Sequence, residues 1–176
     1  MSNYLRAWIP GGTYFFTVNL AERRNTTLLI DHIAQLREAF RVVRRVHPFV
    51  IEAMVVLPDH LHCIWRLPPG DDGFAFRWRL IKARFSASLV AGERISPSRL
   101  RKGERGIWQR RYWEHVIRDE EDWRRHLDYI HCNPVKHGHV QRVCDWPHSS
   151  FHRFVRQGVY MENWAAPELI AEFDAE

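Results

Sequence analysis

Residues 49–67 hold two apolar stretches, FVIEAMVVL and HLHCIWRL, separated only by Pro58 and Asp59. So short a connection joins antiparallel neighbours, because parallel strands need a crossover of a dozen residues or more. The first stretch is almost wholly apolar, as in a strand buried on both faces. The second alternates. A hairpin over Phe49–Leu57 and His60–Leu67 is therefore the fixed point around which the rest must pack.

The flanking sequence supplies the other layers. Gly12 to Leu20 (GTYFFTVNL) alternates and is rich in β-branched and aromatic residues, which predicts a strand. Asp31 is read as the N-cap of a helix carrying Ile33, Leu36, Phe40 and Val43, ending near Val46 before Pro48. After the PPGDDG turn, Phe74 to Val90 reads as a basic helix with Phe76, Leu80, Ala83 and Ala87 on one side. Ala91 to Gly106 reads as a polar loop and Ile107 to Ile117 as a strand. Asp119 opens a last long helix, with acidic residues opposing the positive end of its dipole. The order β-α-β-β-α-β-α predicts an α+β fold. It is the ferredoxin-like, RRM-like βαββαβ antiparallel sheet with an additional C-terminal helix and tail. Residues 1–138 are read as the domain proper and 139–176 as an extension packed on it or trailing from it.

The chain of 176 residues suits one domain, and its composition, 45% hydrophobic and 27% charged, excludes disorder. It holds no apolar run of membrane-spanning length and no basic-then-apolar leader. Three cysteines without CxxC spacing favour a reduced, cytoplasmic protein over a disulfide scaffold. Phosphate-binding loops of the GxxxxGK[ST] and GxGxxG kinds are missing, so no nucleotide cofactor is expected.

The charge is concentrated. Residues 74–118 carry 12 Lys/Arg against 3 Asp/Glu, whereas residues 119–176 carry 6 against 11. The central block interleaves Arg77, Arg79, Lys82, Arg84, Arg101, Lys102, Arg110 and Arg111 with Trp78, Phe85, Trp108, Tyr112 and Trp113. Arginine suits bidentate phosphate contacts, and aromatic faces suit unpaired bases. These eight cations are the expected DNA contacts. A solvated helix face followed by a charged loop explains the run equally well.

Two constellations carry chemistry. His60-Leu61-His62 in a strand puts both imidazoles on one face, where they can hold one divalent ion. Eleven histidines make chance pairs common. Tyr129 and Asn133 lie four apart on the last helix, hence on one side. A phenol is a nucleophile and an amide oxygen a hard-metal ligand. The rival reading makes Asn133 the N-cap of a new short helix with Pro134 at its first position, and Tyr129 a half-buried aromatic.

PDHLHCIW, followed some 60 residues later by YWEHVIRDEEDWRRHLDYIHCNPVKHG, resembles the single-tyrosine HUH transposases. The similarity is to the branch called REP-associated tyrosine transposases, whose tail WPHSSFHRF also resembles, and it spans roughly residues 10–155. The resemblance implies a single-stranded DNA endonuclease and strand transferase acting on palindromic hairpin DNA, with a 5′-phosphotyrosine intermediate. It implies Tyr129 as nucleophile and His60, His62 and Asn133 as ligands of Mg²⁺ or Mn²⁺. Insertion-sequence relatives have Gln where this chain has Asn133. Those relatives dimerise, but no leftover apolar stripe here demands it, so monomer and homodimer both stand. The competing readings are a non-catalytic RRM-like single-stranded nucleic-acid binder and a metal hydrolase that uses water as nucleophile.

Overall fold

A computed structural model describes residues 8–93 and 95–165. Tyr4, Arg94 and the stretch beyond residue 165 lie outside the described residues. Four strands, β1 (Thr13–Asn19), β2 (Val50–Val56), β3 (His60–Arg66) and β4 (Trp113–Val116), form one antiparallel sheet in the order β2-β3-β1-β4. The helices are α1 (Leu28–Asp31), α2 (Ile33–Val46), α3 (Phe74–Ala87), α4 (Pro97–Leu100), α5 (Glu120–Lys136) and α6 (Phe151–Arg156). This is the α+β plan expected from the sequence. Among the described residues no helix is long and apolar enough to cross a membrane.

Alternation along the strands splits the core in two. Tyr14, Phe16 and Val18 of β1 and Leu61, Cys63 and Trp65 of β3 face α2 and α3. Trp65 and Trp78 stack at 4.2 Å there, the centre of an aromatic layer with Phe16, Phe40 and Phe49. Phe15 of β1 and Ile64 of β3 face the other way, with Leu127 and Ile130 of α5 and Phe151 and Phe154 of α6. The sheet is thus covered on both sides, and α5, with α6 beside it, occupies the side to which His60 and His62 point.

Local expectations shift in four places. Asp31 ends α1 and accepts a hydrogen bond from Thr27; His32 begins α2. The buried side of α3 is Phe74, Trp78, Ile81 and Phe85, not the stripe through Phe76, because the larger aromatic set fills the layer over Trp65; Phe76 is exposed. Strand β4 covers only 113–116. Upstream, Lys82 binds the Gln109 carbonyl and draws that segment toward α3. Finally, α5 runs unbroken through Pro134 to Lys136. Pro134 lies in the last turn, where its missing N–H leaves just one carbonyl without a helix bond. Gly138 (φ +68°) then donates to Val135 O and His139 to Pro134 O, a Schellman closure that needs the left-handed glycine. Asn133 is therefore inside α5 and caps no new helix.

The extension closes the β2 edge. Ser150 N–H donates to Met54 O at 2.8 Å, Val56 N–H to His148 O at 2.9 Å, and the Trp146 indole to Val56 O at 2.9 Å. These bonds occupy groups that would otherwise template pairing with another chain.

Candidate active site

The pairing of β1 with β3 sets Thr17 opposite His62 and Asn19 opposite His60. Both imidazoles stand on the α5 side, 4.9 Å apart between centroids, and both are 3% exposed. His60 Nδ1 lies 2.6 Å from Asp59 Oδ1. Burial acts to raise the Asp59 pKa, but hydrogen bonds from His60 and Arg23 prevail and hold it well below the usual carboxylate range. Asp59 is thus an acceptor and His60 Nδ1–H the donor, which leaves Nε2 as the ring nitrogen not engaged by Asp59. His62 Nδ1 sits 2.9 Å from the Thr17 hydroxyl. Its Nε2 is buried without a hydrogen bond. Burial, reinforced by His60 and His137, pushes the His62 pKa well below the ordinary imidazole value, with Asn133 opposing. The ring is neutral at physiological pH.

Helix α5 brings Tyr129 and Asn133 to the same place. The Tyr129 ring lies 5.1 Å from the His62 ring and 5.9 Å from Phe15. Asn133 is fully buried, and neither amide atom makes a hydrogen bond. A buried amide and a buried imidazole nitrogen, both unsatisfied, are costly unless something completes them. The donor set of two imidazole nitrogens and one amide oxygen, the imidazoles oriented by Asp59 and Thr17, fits a divalent cation.

Two neighbours were not singled out from the sequence. The His137 ring packs 5.1 Å from His60; partial burial and the nearness of His60 hold its pKa down at about 4. Lys136 Nζ stands 5.4 Å above the Tyr129 ring. Both depend on where α5 ends, and the KHG that follows Asn-Pro was the available signal.

A clasp fixes the other end of the helix. Asp119 caps α5 by accepting from the Asp122 N–H at 2.8 Å. Asp122 Oδ2 lies 2.8 Å from His115 Nε2 and 3.0 Å from the Arg118 N–H; its Oδ1 lies 3.1 Å from His126 Nδ1. Although burial opposes it, the bonds from His115 and Arg118 bring the Asp122 pKa down to about 2. His115, Asp122 and His126 offer ligand atoms within 4.8 Å of one another. Each of these atoms already has a hydrogen-bonding neighbour, so the cluster ties β4 to α5. The Trp123 indole completes the mounting by donating to Glu52 of β2 at 2.6 Å.

The eight cations separate into unlike groups. Arg77 is 4% exposed: its guanidinium makes two bonds to Asp71, at 2.6 and 2.9 Å, and donates to the carbonyls of His47 and Pro48. It is a structural residue, a correction to its expected place among the DNA contacts; sequence pattern does not tell which arginine of a basic helix turns inward. Arg110 is partly engaged by Glu104 and Ser98, and Lys82 by the Gln109 carbonyl. Arg79, Arg84, Arg101, Lys102 and Arg111 are exposed. Arg79 and Arg84 lie on α3, and Arg101, Lys102 and Arg111 on the segment that follows it.

No family profile matches the chain. It is 49% identical over 175 residues to the REP-associated tyrosine transposase of Escherichia coli (strain K12), covering 99% of this chain and 96% of that protein. Among solved structures, a REP-associated tyrosine transposase bound to a REP hairpin superposes with a TM-score of 0.81. It shares 50% identity, over 94% of this chain and 92% of the other. Identity of this order over nearly the whole length, on the same fold, means that the chain belongs to the REP-associated tyrosine transposases.

Proposed function

We propose that the protein is a metal-dependent single-stranded DNA endonuclease and strand transferase. Its substrate is palindromic, REP-like hairpin DNA, and Tyr129 is the nucleophile. The observation that carries the reading is the meeting of Tyr129, His62 and the unsatisfied Asn133 amide on one side of the sheet. The hairpin bound by the relative of 50% identity supports the choice of substrate.

In this reading the Tyr129 oxygen attacks the scissile phosphorus. The O–P bond forms as the bond to the 3′-oxygen breaks. The phenol proton is lost, the 3′-oxygen takes one up, and the 5′-phosphate stays on the protein. Attack by a 3′-hydroxyl reverses the exchange, so one phosphodiester replaces another and no ATP is consumed. His60, His62 and Asn133 would hold a Mg²⁺ or Mn²⁺ ion, which would supply charge neutralisation to the phosphoryl transfer. Asp59 and Thr17 keep the imidazoles aimed. Lys136, with its Nζ 5.4 Å above the Tyr129 ring, packs over the face of the attacking side chain. Arg79, Lys82, Arg84, Arg101, Lys102, Arg110 and Arg111 are the backbone contacts in this scheme. Residues 1–138 form the working domain. The extension from residue 139 serves as its buttress, a role supported by Phe151 and Phe154 packing with α5. A cytoplasmic setting accords with DNA as substrate and with Cys63, Cys132 and Cys144 standing outside any disulfide.

The test is incubation with a hairpin oligonucleotide and Mn²⁺, followed by a denaturing gel and peptide mapping. A covalent adduct at Tyr129, lost in Tyr129→Phe with DNA binding kept, is the expected result. Tyr112→Phe should keep most activity. Intact DNA would favour the non-catalytic RRM-like binder, and cleavage without an adduct would favour a water nucleophile.

A further inference from the structure

The clasp between β4 and α5 holds a set of donors that the strand-transfer chemistry does not use. His115 comes from β4. Asp122 and His126 come from α5, four residues apart and so on one side of the helix. Asp122 is 4% exposed, and both histidines are partly exposed, which leaves a way in from solvent. One ligand atom from each residue lies within 4.8 Å of the other two. The imidazoles stack, with centroids 4.6 Å apart and planes at 16°. Trp113 packs on His115 at 5.8 Å and Phe15 on His126 at 4.7 Å, so aromatic rings hold the pair in place.

Without metal, protons join the three. His115 Nε2 stands 2.8 Å from Asp122 Oδ2, and His126 Nδ1 stands 3.1 Å from Oδ1. A divalent ion can replace such protons, because an imidazole nitrogen that donates to a carboxylate becomes a metal ligand once its proton leaves. His126 Nδ1 also lies 2.8 Å from the Asp122 carbonyl oxygen and gives up that bond on ligation. Metal bonds of about 2.0–2.1 Å put tetrahedral ligands about 3.3 Å apart. Both nitrogen–oxygen separations are already that short. The remaining closure, at most about 1.5 Å, takes a tilt of the stacked rings. Charge favours the ion as well. Arg118 Nε stands 3.2 Å from the buried Asp122 carboxylate, but the Arg118 side chain is 69% exposed and its charge is screened by water.

We propose that His115, Asp122 and His126 bind one Zn²⁺, with water in the fourth position, as a lock between β4 and α5. Two imidazole nitrogens and one carboxylate oxygen suit zinc. Such a set holds Zn²⁺ more tightly than Mn²⁺, and Mg²⁺ prefers to keep its waters. The site is distinct from the one at His60 and His62. Asp122 and Asn133 are eleven residues apart on α5, about 16 Å along its axis. The ion takes no part in phosphoryl transfer; it pins to the sheet the helix that carries Tyr129.

The test uses the full chain carrying His60→Ala/His62→Ala, so that the other histidine pair does not compete. After stripping with chelator, the protein is titrated with Co²⁺ as a visible stand-in for Zn²⁺. The absorption of a low-coordinate cobalt site should saturate at one ion per chain, and one equivalent of Zn²⁺ should bleach it. Zn²⁺ at a hundredfold excess over its dissociation constant should raise the melting temperature by about 5–10 °C. Adding His115→Gln, which keeps a hydrogen-bond donor beside Asp122, should abolish the spectrum and the shift together. In the otherwise unaltered protein His115→Gln should lower the bound zinc by one equivalent, a reading that does not depend on the double variant. No cobalt spectrum in the parent, a spectrum that survives His115→Gln, or unchanged zinc content would overturn the site.

Discussion

The Thr17 hydroxyl lies 2.9 Å from His62 Nδ1, across a directly paired position of the β1–β3 ladder. A backbone register thus sets a side-chain orientation: with Nδ1 engaged by Thr17, Nε2 is the nitrogen turned to the site. Removing such an outer partner characteristically costs about 10–100-fold in metal affinity or activity. Thr17→Val keeps shape and β-branching and deletes the oxygen. Cleavage of a hairpin oligonucleotide at limiting Mn²⁺ should fall by about that factor while thermal unfolding is little changed. Full activity at low metal would show that Thr17 does not orient His62.

Asn133 should trade stability for function. Its amide is buried with no hydrogen bond, a condition that costs about 1–3 kcal/mol. Asn133→Leu, of similar volume, removes that cost. The metal-free variant should melt a few degrees higher than the unaltered protein, at about 2–4 °C per kcal/mol for a chain of this size. It should also lose the added stabilisation that Mn²⁺ confers through its bound state. Calorimetry with and without the ion reads both effects. A lower melting temperature without metal would mean that Asn133 serves the fold.

The parts of this site legible in the sequence are those that follow from a period. Two-residue alternation puts His60 and His62 together, and four-residue spacing does the same for Tyr129 and Asn133. The Asn-Pro ambiguity turned on whether a helix ends before or after Pro134, and the Schellman closure at Gly138 decides it from outside the motif. His137 and Lys136 join the site only because α5 stops there. Arg77 and Arg105 were illegible as structural residues for another reason. Their partners, Asp71 with the His47 and Pro48 carbonyls, and the last carbonyls of α3, lie in other segments of the chain. No local pattern marks such a pairing. The aromatic interleaving of residues 74–118, by contrast, was plain, but not that Trp78 and Trp108 would line one groove.

Arg77 and its exposed neighbours should separate cleanly by assay. Arg77→Leu strands Asp71 and two carbonyls and should destabilise the fold by roughly 2 kcal/mol. That is below the cost of breaking a fully buried pair, because the Asp71 side chain is 34% exposed. The salt dependence of DNA binding should be unchanged. Arg79→Gln/Arg84→Gln should leave stability nearly intact and flatten that dependence, by about 0.7 of a log unit per log of salt for each phosphate that is no longer neutralised. Measured slopes of log affinity against log salt distinguish the two. A flattened slope in Arg77→Leu would return that residue to the DNA surface.

Acid should unfold the protein through its buried histidines, and His131 isolates one share of the effect. Its ring is wholly buried among Phe151, Phe154 and Tyr160, with Nε2 2.9 Å from Ser150 Oγ. Burial, helped by the positive charge of Arg153, brings its pKa down to about 3 from the ordinary 6.5. Above pH 6.5 the ring is neutral in both folded and unfolded chains, and stability is independent of it. Between about 6.5 and 3 the unfolded chain holds a proton that the folded one lacks, so unfolding becomes easier as pH falls. One such proton is worth ~1.4 kcal/mol per pH unit. His62, His126, His137 and His148 are lowered too, so the total slope exceeds this. His131→Gln removes one titrating group. Whatever it costs at neutral pH, urea unfolding at pH 7.5, 6.0, 5.0 and 4.5 should show a shallower decline than in the unaltered protein, by up to one proton's share. Parallel declines in the two proteins would mean that His131 takes up its proton in the folded state and is not held neutral.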